Sequence, residues 1–328
     1  MSISRRKAIT LGAGAAALAA TSGVPAAAAN DRGGAAAGPT NARLARSLPG
    51  GFRSGYATVN GIRLHYVAGG QGEPLILLPG WPEMWWEYRK VMPSLAARYR
   101  VIVADLRGMG GSGKPQSGYD KKTMASDIFQ LTRALGYDTV NIAGHDIGSM
   151  VAFSFAVNHP EATRKVALLD VTHPDQTYNQ LRLLPQPGAP IYPWWFAFNQ
   201  VHGLPEQLGS GRSRFLIDAI FDLLLLNKAA VSDDDRAIYA KAYSHPDAIR
   251  ASNGWFQAFG QDITDLASYG KVAAPMLGLA DPSFFAFFQQ ILPAEGTAVS
   301  VVEVANSGHF IVEEQPQAVT QALTAFFG

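Results

Sequence analysis

One short stretch limits what this chain can fold into more than any other: Gly144-His145-Asp146-Ile147-Gly148. It follows the apolar run Thr139-Val140-Asn141-Ile142-Ala143 and leads into Met150-Val151-Ala152-Phe153-Ser154-Phe155-Ala156, which reads as a helix. Strand, sharp turn and helix in this order form an elbow of the G-x-S-x-G kind, here with Asp in place of Ser. The flanking glycines let the turn close tightly and keep Cβ atoms away from the projecting side chain.

The neighbouring sequence supplies a sheet for that elbow. Leu75-Ile76-Leu77-Leu78, Val101-Ile102-Val103-Ala104 and Val140-Asn141-Ile142-Ala143 read as buried strands, and Val166-Ala167-Leu168-Leu169 follows the elbow helix. Met124 to Leu135 repeats its apolar positions at helical spacing. Alternating strands and helices predict a doubly wound, mostly parallel α/β sheet. Upstream, Tyr56–Val59 and Ile62–Tyr66 flank Asn60-Gly61, a hairpin turn pair. The alternation breaks at about residue 174, where a helical, aromatic segment containing Trp194, Trp195, Phe196 and Phe198 begins. Strands resume at Pro275–Leu279 and Val299–Val304, and Pro316–Phe327 reads as a closing helix with proline in its first turn. The expected division is a core of residues 55–173 and 260–328, interrupted by a helical cap over 174–259.

The N-terminus stands apart. Ser4-Arg5-Arg6-Lys7 precedes an Ala/Gly-rich stretch from Ala8 to Ala20 and a small-residue run ending at Ala29. This resembles a twin-arginine signal peptide over residues 1–29, with export of the folded protein and a loose leader over 30–54. The apolar run is too short and too weakly hydrophobic for a stable membrane anchor, which takes about 20 strongly apolar residues. The 328 residues are 48% hydrophobic and only 16% charged, with a formal net charge of +1. No basic run or stripe marks a nucleic-acid partner. Cysteine is absent, so disulfides are excluded even for an exported protein.

Asp146 alters the chemistry of the elbow. A serine alkoxide attacks carbonyl carbon, whereas a carboxylate suits displacement at saturated carbon and leaves an ester that water can cleave. Epoxide opening and carbon–halogen cleavage both fit. Three further segments accompany the elbow: Pro79-Gly80-Trp81-Pro82-Glu83, Asp105-Leu106-Arg107-Gly108-Met109-Gly110-Gly111-Ser112, and Ser307-Gly308-His309-Phe310 followed by Glu313-Glu314-Gln315-Pro316. Together they resemble the α/β-hydrolase superfamily, in its epoxide hydrolase and dehalogenase branch, over nearly everything after residue 55.

The resemblance implies an α/β-hydrolase fold with an inserted cap, Asp146 as nucleophile and His309 as the base that activates water. Asp170 and Asp281 compete to orient His309, since both follow core strands, and the Asp170-Val171-Thr172 pattern favours Asp170. Backbone N–H groups of Trp81 and Ile147 fit an oxyanion hole by position, although Pro79 replaces the family's usual histidine. Among cap residues, Tyr243 fits the donor that protonates an opening epoxide oxygen. Trp195 fits a halide or substrate contact, because an indole N–H can donate a hydrogen bond but cannot release a proton. Ile147 stands where dehalogenase branches carry tryptophan or arginine, which favours a neutral substrate.

The leading expectation is a hydrolase that converts a small, apolar, neutral epoxide and water to a diol, without cofactor or metal. Hydrolytic dehalogenation by the same Asp146 and His309 is the alternative, with Trp195 holding halide. A ligand-binding protein that keeps the scaffold without turnover is a lesser one. Natural substrate and oligomeric state stay open.

Overall fold

The computed structural model describes residues 39–182, 184, 187 and 192–328. The expected signal peptide and the leader up to residue 38 lie outside them. No helix among the described residues is long and apolar enough to cross a membrane.

Eight strands form one sheet: β1 Arg53–Val59, β2 Ile62–Gly69, β3 Glu73–Leu78, β4 Tyr99–Ala104, β5 Val140–His145, β6 Thr163–Leu169, β7 Met276–Ala280 and β8 Val299–Glu303. Their spatial order is β1-β2-β4-β3-β5-β6-β7-β8. β2 pairs antiparallel with β1 and β4, and the other pairings are parallel. Leu75 to Leu78 and all of β5 are buried, as expected of strands covered on both faces. At the predicted hairpin, Asn60 and Gly61 take φ values of 47° and 74°, the double positive turn that matches strand twist. The elbow helix, Ile147–Asn158, is buried from Ile147 to Ala156. Its apolar residues surround it, so it needs cover on every side.

The cap carries the helices Trp194–Gln200, Leu204–Gly209, Ser213–Leu224, Asp233–Ala242 and Pro246–Gln257. The next helix, Phe259–Leu266, is held to the core, because Asp262 pairs with Lys121 Nζ at 2.7 Å and accepts the Lys121 N–H at 2.7 Å. Arg89 fastens the Asp233–Ala242 helix to the core through Asp235 at 2.7 Å and through Glu313. Trp86 Nε1 donates to the same Asp235 at 2.7 Å.

The expectation of a loose leader to residue 54 fails for its last part. Residues Asn41–Ser47 form a helix capped by Thr40, whose side chain accepts the Arg43 N–H. Leu44 and Ala45 are buried, Phe52 is fully buried, and β1 begins at Arg53. Two apolar anchors so far apart in a small-residue segment give no periodicity to read. Burial against the sheet edge supplies the order.

Candidate active site

The elbow places Asp146 at the end of β5 with φ 51° and ψ −120°, a backbone region costly for any side-chain-bearing residue. The turn is tight enough that a Cβ on Gly144 would meet the Gly148 carbonyl oxygen at 2.0 Å. One on Gly148 would meet that of Leu78 at 2.1 Å. Only glycine fits either position, so the sequence itself forces the projecting geometry.

Asp146 Oδ1 accepts the Trp81 N–H at 2.8 Å. Its Oδ2 lies 3.6 Å from Nε2 of His309, whose Nδ1 is 2.7 Å from Asp170 Oδ2. The other Asp170 oxygen accepts the Asp281 N–H at 2.8 Å. Asp281 turns its own carboxylate to the loop after β7, where Oδ1 accepts from the Ser283 N–H at 2.5 Å and the Ser283 hydroxyl at 2.6 Å. Of the two competing acids, Asp170 therefore meets the imidazole.

Charge in this row is set by burial against partners. Burial pushes the Asp146 carboxyl up, but His309, His145 and the Trp81 N–H outweigh it and hold it below the usual range. Burial would lower His309, yet the two carboxylates beside it lift it to about 10. Burial raises Asp170 to about 6 against the opposing pull of His309. At neutral pH the row reads carboxylate, imidazolium, carboxylate.

A cavity of about 310 Å³ opens onto Asp146 and His309, with Trp81, Tyr178, Trp195 and Phe196 in its wall. Among its described lining residues there is no Lys or Arg. Trp81 and Trp195 thus stand where the sequence suggested. Ile147 is buried at the start of its helix and does not line the cavity. Tyr243 departs from expectation. Its buried hydroxyl donates to the Glu83 carbonyl at 2.7 Å, and its ring faces a neighbouring cavity of about 270 Å³ that it shares with Trp81. The phenol in the Asp146 cavity belongs instead to Tyr178, on a short 3-10 turn, Gln176–Gln180, capped by Asp175. Its ring packs on Phe196 and Phe259. The sequence held only a weak sign of this, an Asp-x-Thr cap shortly after Asp170.

The profile of the family described as alpha/beta hydrolase fold matches residues 73–272. The chain belongs to that family. Among relatives of this α/β-hydrolase, the soluble epoxide hydrolase of Corynebacterium sp. (strain C12) is 34% identical over 287 residues, 83% of this chain and 96% of the relative. The fluoroacetate dehalogenase of Burkholderia sp. is 29% identical over 84% of this chain and 94% of its own. The solved structure of the epoxide hydrolase CorEH superposes with a TM-score of 0.74 at 33% identity, covering 84% of this chain and 98% of that one. The α/β-hydrolase is accordingly an enzyme of epoxide hydrolase-like type, in a branch that also holds dehalogenases.

Proposed function

We propose that this hydrolase opens a neutral epoxide to a diol through an ester on Asp146. The observation that carries the reading is the contact row Trp81–Asp146–His309–Asp170 facing an apolar cavity whose described lining holds no Lys or Arg for an anionic substrate. Asp146 Oδ2 attacks an epoxide carbon in line, one carbon–oxygen bond forms, and the ring carbon–oxygen bond breaks. The opened oxygen takes a proton from Tyr178. A phenol can release one, whereas the indoles of Trp81 and Trp195 can only donate hydrogen bonds to it.

Ester formation removes the negative charge 3.6 Å from His309 Nε2. The imidazolium then loses its strongest reason to stay charged, and its proton passes through water in the cavity to the Tyr178 phenolate, which restores the phenol and leaves His309 neutral. Free His309, oriented by Asp170, takes a proton from water, and the hydroxide attacks the ester carbonyl. The Trp81 N–H, already on Asp146 Oδ1, steadies the developing oxyanion. Collapse returns the diol, the Asp146 carboxylate and the His309 imidazolium.

Hydrolytic dehalogenation is the second reading, favoured by two indole-bearing side chains in the same wall, Trp81 and Trp195. The deciding experiment is the His309→Gln variant, offered epoxides and haloalkanes and weighed intact. A hydroxyalkyl adduct on Asp146 supports the epoxide reading. A plain alkyl adduct with halide release moves the assignment to dehalogenase, and no adduct from either removes both. We also propose export by the twin-arginine route, on the Ser4-Arg5-Arg6-Lys7 segment. Retention of an Arg5→Lys, Arg6→Lys variant inside the cell, beside exported wild type, is the expected result.

A further inference from the structure

His145, immediately before the nucleophile, takes no part in the steps above, yet it is fully buried beside them. Its Nε2 is 2.9 Å from the backbone carbonyl oxygen of His309. A carbonyl can only accept, so this nitrogen carries a proton. Nδ1 lies 3.2 Å from Oε1 of Glu87, also fully buried. The other oxygen of Glu87 accepts the Gly80 N–H at 2.8 Å, on the loop that presents the Trp81 N–H to Asp146. Nε2 is hydrogen-bonded, whereas Nδ1 and Glu87 Oε1 lie within ion-pair distance without a hydrogen bond between them, and the ring centroid is 4.8 Å from that of His309.

We infer that His145 is a doubly protonated positioning residue, which pins the His309 backbone through Nε2–H and holds Glu87, and with it the Trp81 loop, by the ion pair on its Nδ1 side. The inference rests on reading Asp146 as nucleophile and His309 as base. It explains why a buried cation belongs here: one Glu87–His145 pair fixes the loop on the oxyanion side and the loop on the base side together.

The groups packed around the ring agree. Burial alone would lower the His145 pKa and His309 opposes its charge, but Glu87 and Asp146 favour it and the value rises above that of ordinary histidine. Burial and the nearby Glu87 and Glu313 push the Glu83 carboxyl well up, against the opposing pull of Arg89. Glu313 is taken by Arg89 and by Lys90, the latter at 2.9 Å. Glu87 is the carboxyl group that lies nearest Nδ1, at 3.2 Å.

The test reads the ring first. Nitrogen-15 NMR of the imidazole in wild type at pH 7 should show both His145 nitrogens protonated, and in Glu87→Gln the ring should be neutral. Single turnover should then show ester hydrolysis slowed about tenfold in His145→Gln, which keeps one N–H donor without charge, with the acid limb of the alkylation step moved to higher pH. Glu87→Gln should do the same, since one pair carries both effects. A neutral His145 in wild type overturns the inference. So does a stoichiometric metal ion on Nδ1 by elemental analysis, because donor atoms of Glu83, Glu87 and His145 lie within 4.8 Å of one another and would then be ligands. Variants that lose stability while keeping the wild-type pH profile overturn it too, by reducing the residue to packing. Absence of any adduct on Asp146 would defeat the proposed reaction, and the NMR result would still decide the charge of His145.

Discussion

The backbone N–H of Asp281 donates to Asp170 across 2.8 Å, so one of the two acids that could serve His309 supports the other. Asp170→Asn should slow ester hydrolysis by about 10³- to 10⁴-fold, the scale seen when the acid of such a triad loses its charge. Asp281→Asn keeps its backbone donor and an amide oxygen for the Ser283 donors, and should change the rate less than tenfold with little effect on its turn. Single-turnover decay of the ester checks both; the reverse order of effects would give the acid role to Asp281.

Tyr178 and Tyr243 are separated by the same reasoning. Tyr178→Phe should slow alkylation by epoxides about 100-fold, in the range for loss of a general acid, and leave alkylation by haloalkanes nearly unchanged, since halide departs without a proton. Tyr243→Phe frees the buried Glu83 carbonyl and should cost about 1 kcal/mol of stability with little effect on either reaction. Stopped-flow alkylation rates beside denaturation midpoints distinguish the two.

Stability should fall in alkali through His309. Its pKa is raised in the fold to about 10, against about 6.5 unfolded. The raised value stabilises the native state, fully below the unfolded pKa, and the contribution is lost as pH rises through about 10. Urea denaturation at pH 7 and pH 10.5 should show a loss on the order of a few kcal/mol in wild type and a smaller one in His309→Gln.

Activity should fall in acid through Asp170. With its carboxyl raised to about 6, protonation below that pH removes the anion that orients His309. Ester hydrolysis, followed in single turnover from pH 8 to 5, should decline with a midpoint at or above that value, because the neutral His309 of the ester no longer lowers Asp170 as the imidazolium does. A decline centred near pH 4 would show that Asp170 does not govern it.

Arg89→Met should loosen the cap by removing the partner of Asp235 and Glu313. Glu313 is buried but keeps Lys90 at 2.9 Å and the Tyr239 hydroxyl at 2.8 Å, so the loss should stay below the roughly 3–5 kcal/mol of a fully stranded charge, with Arg89→Lys recovering only part because it cannot reach both acids. Chemical denaturation measures the loss.

What the sequence made legible was what neighbouring residues impose on one another. The strands announced themselves by apolar runs, the hairpin by Asn60-Gly61, and the elbow by glycines whose Cβ atoms have no room. Asp146 and His309 followed from the ends of strands. The rest depended on distant packing. Asp170 and Asp281 both end strands, and only the register of β6 beside β7 decides which reaches the imidazole. Tyr243 was placed by its position in the cap sequence, but a carbonyl from residue 83 holds its hydroxyl away from the nucleophile. Tyr178 sits on a turn too short to show periodicity. The helix at Asn41–Ser47 is ordered by a sheet edge assembled from later residues.

The crowding at Gly144 and Gly148 has an evolutionary corollary. The strain of the turn resides in main-chain atoms and in two residues without side chains, and the group displayed at 146 plays no part in closing it. The scaffold is therefore indifferent to what it displays. A lineage can exchange a carboxylate for another nucleophile there, and pass from alkyl transfer to acyl transfer, while the architecture beneath stays under separate selection.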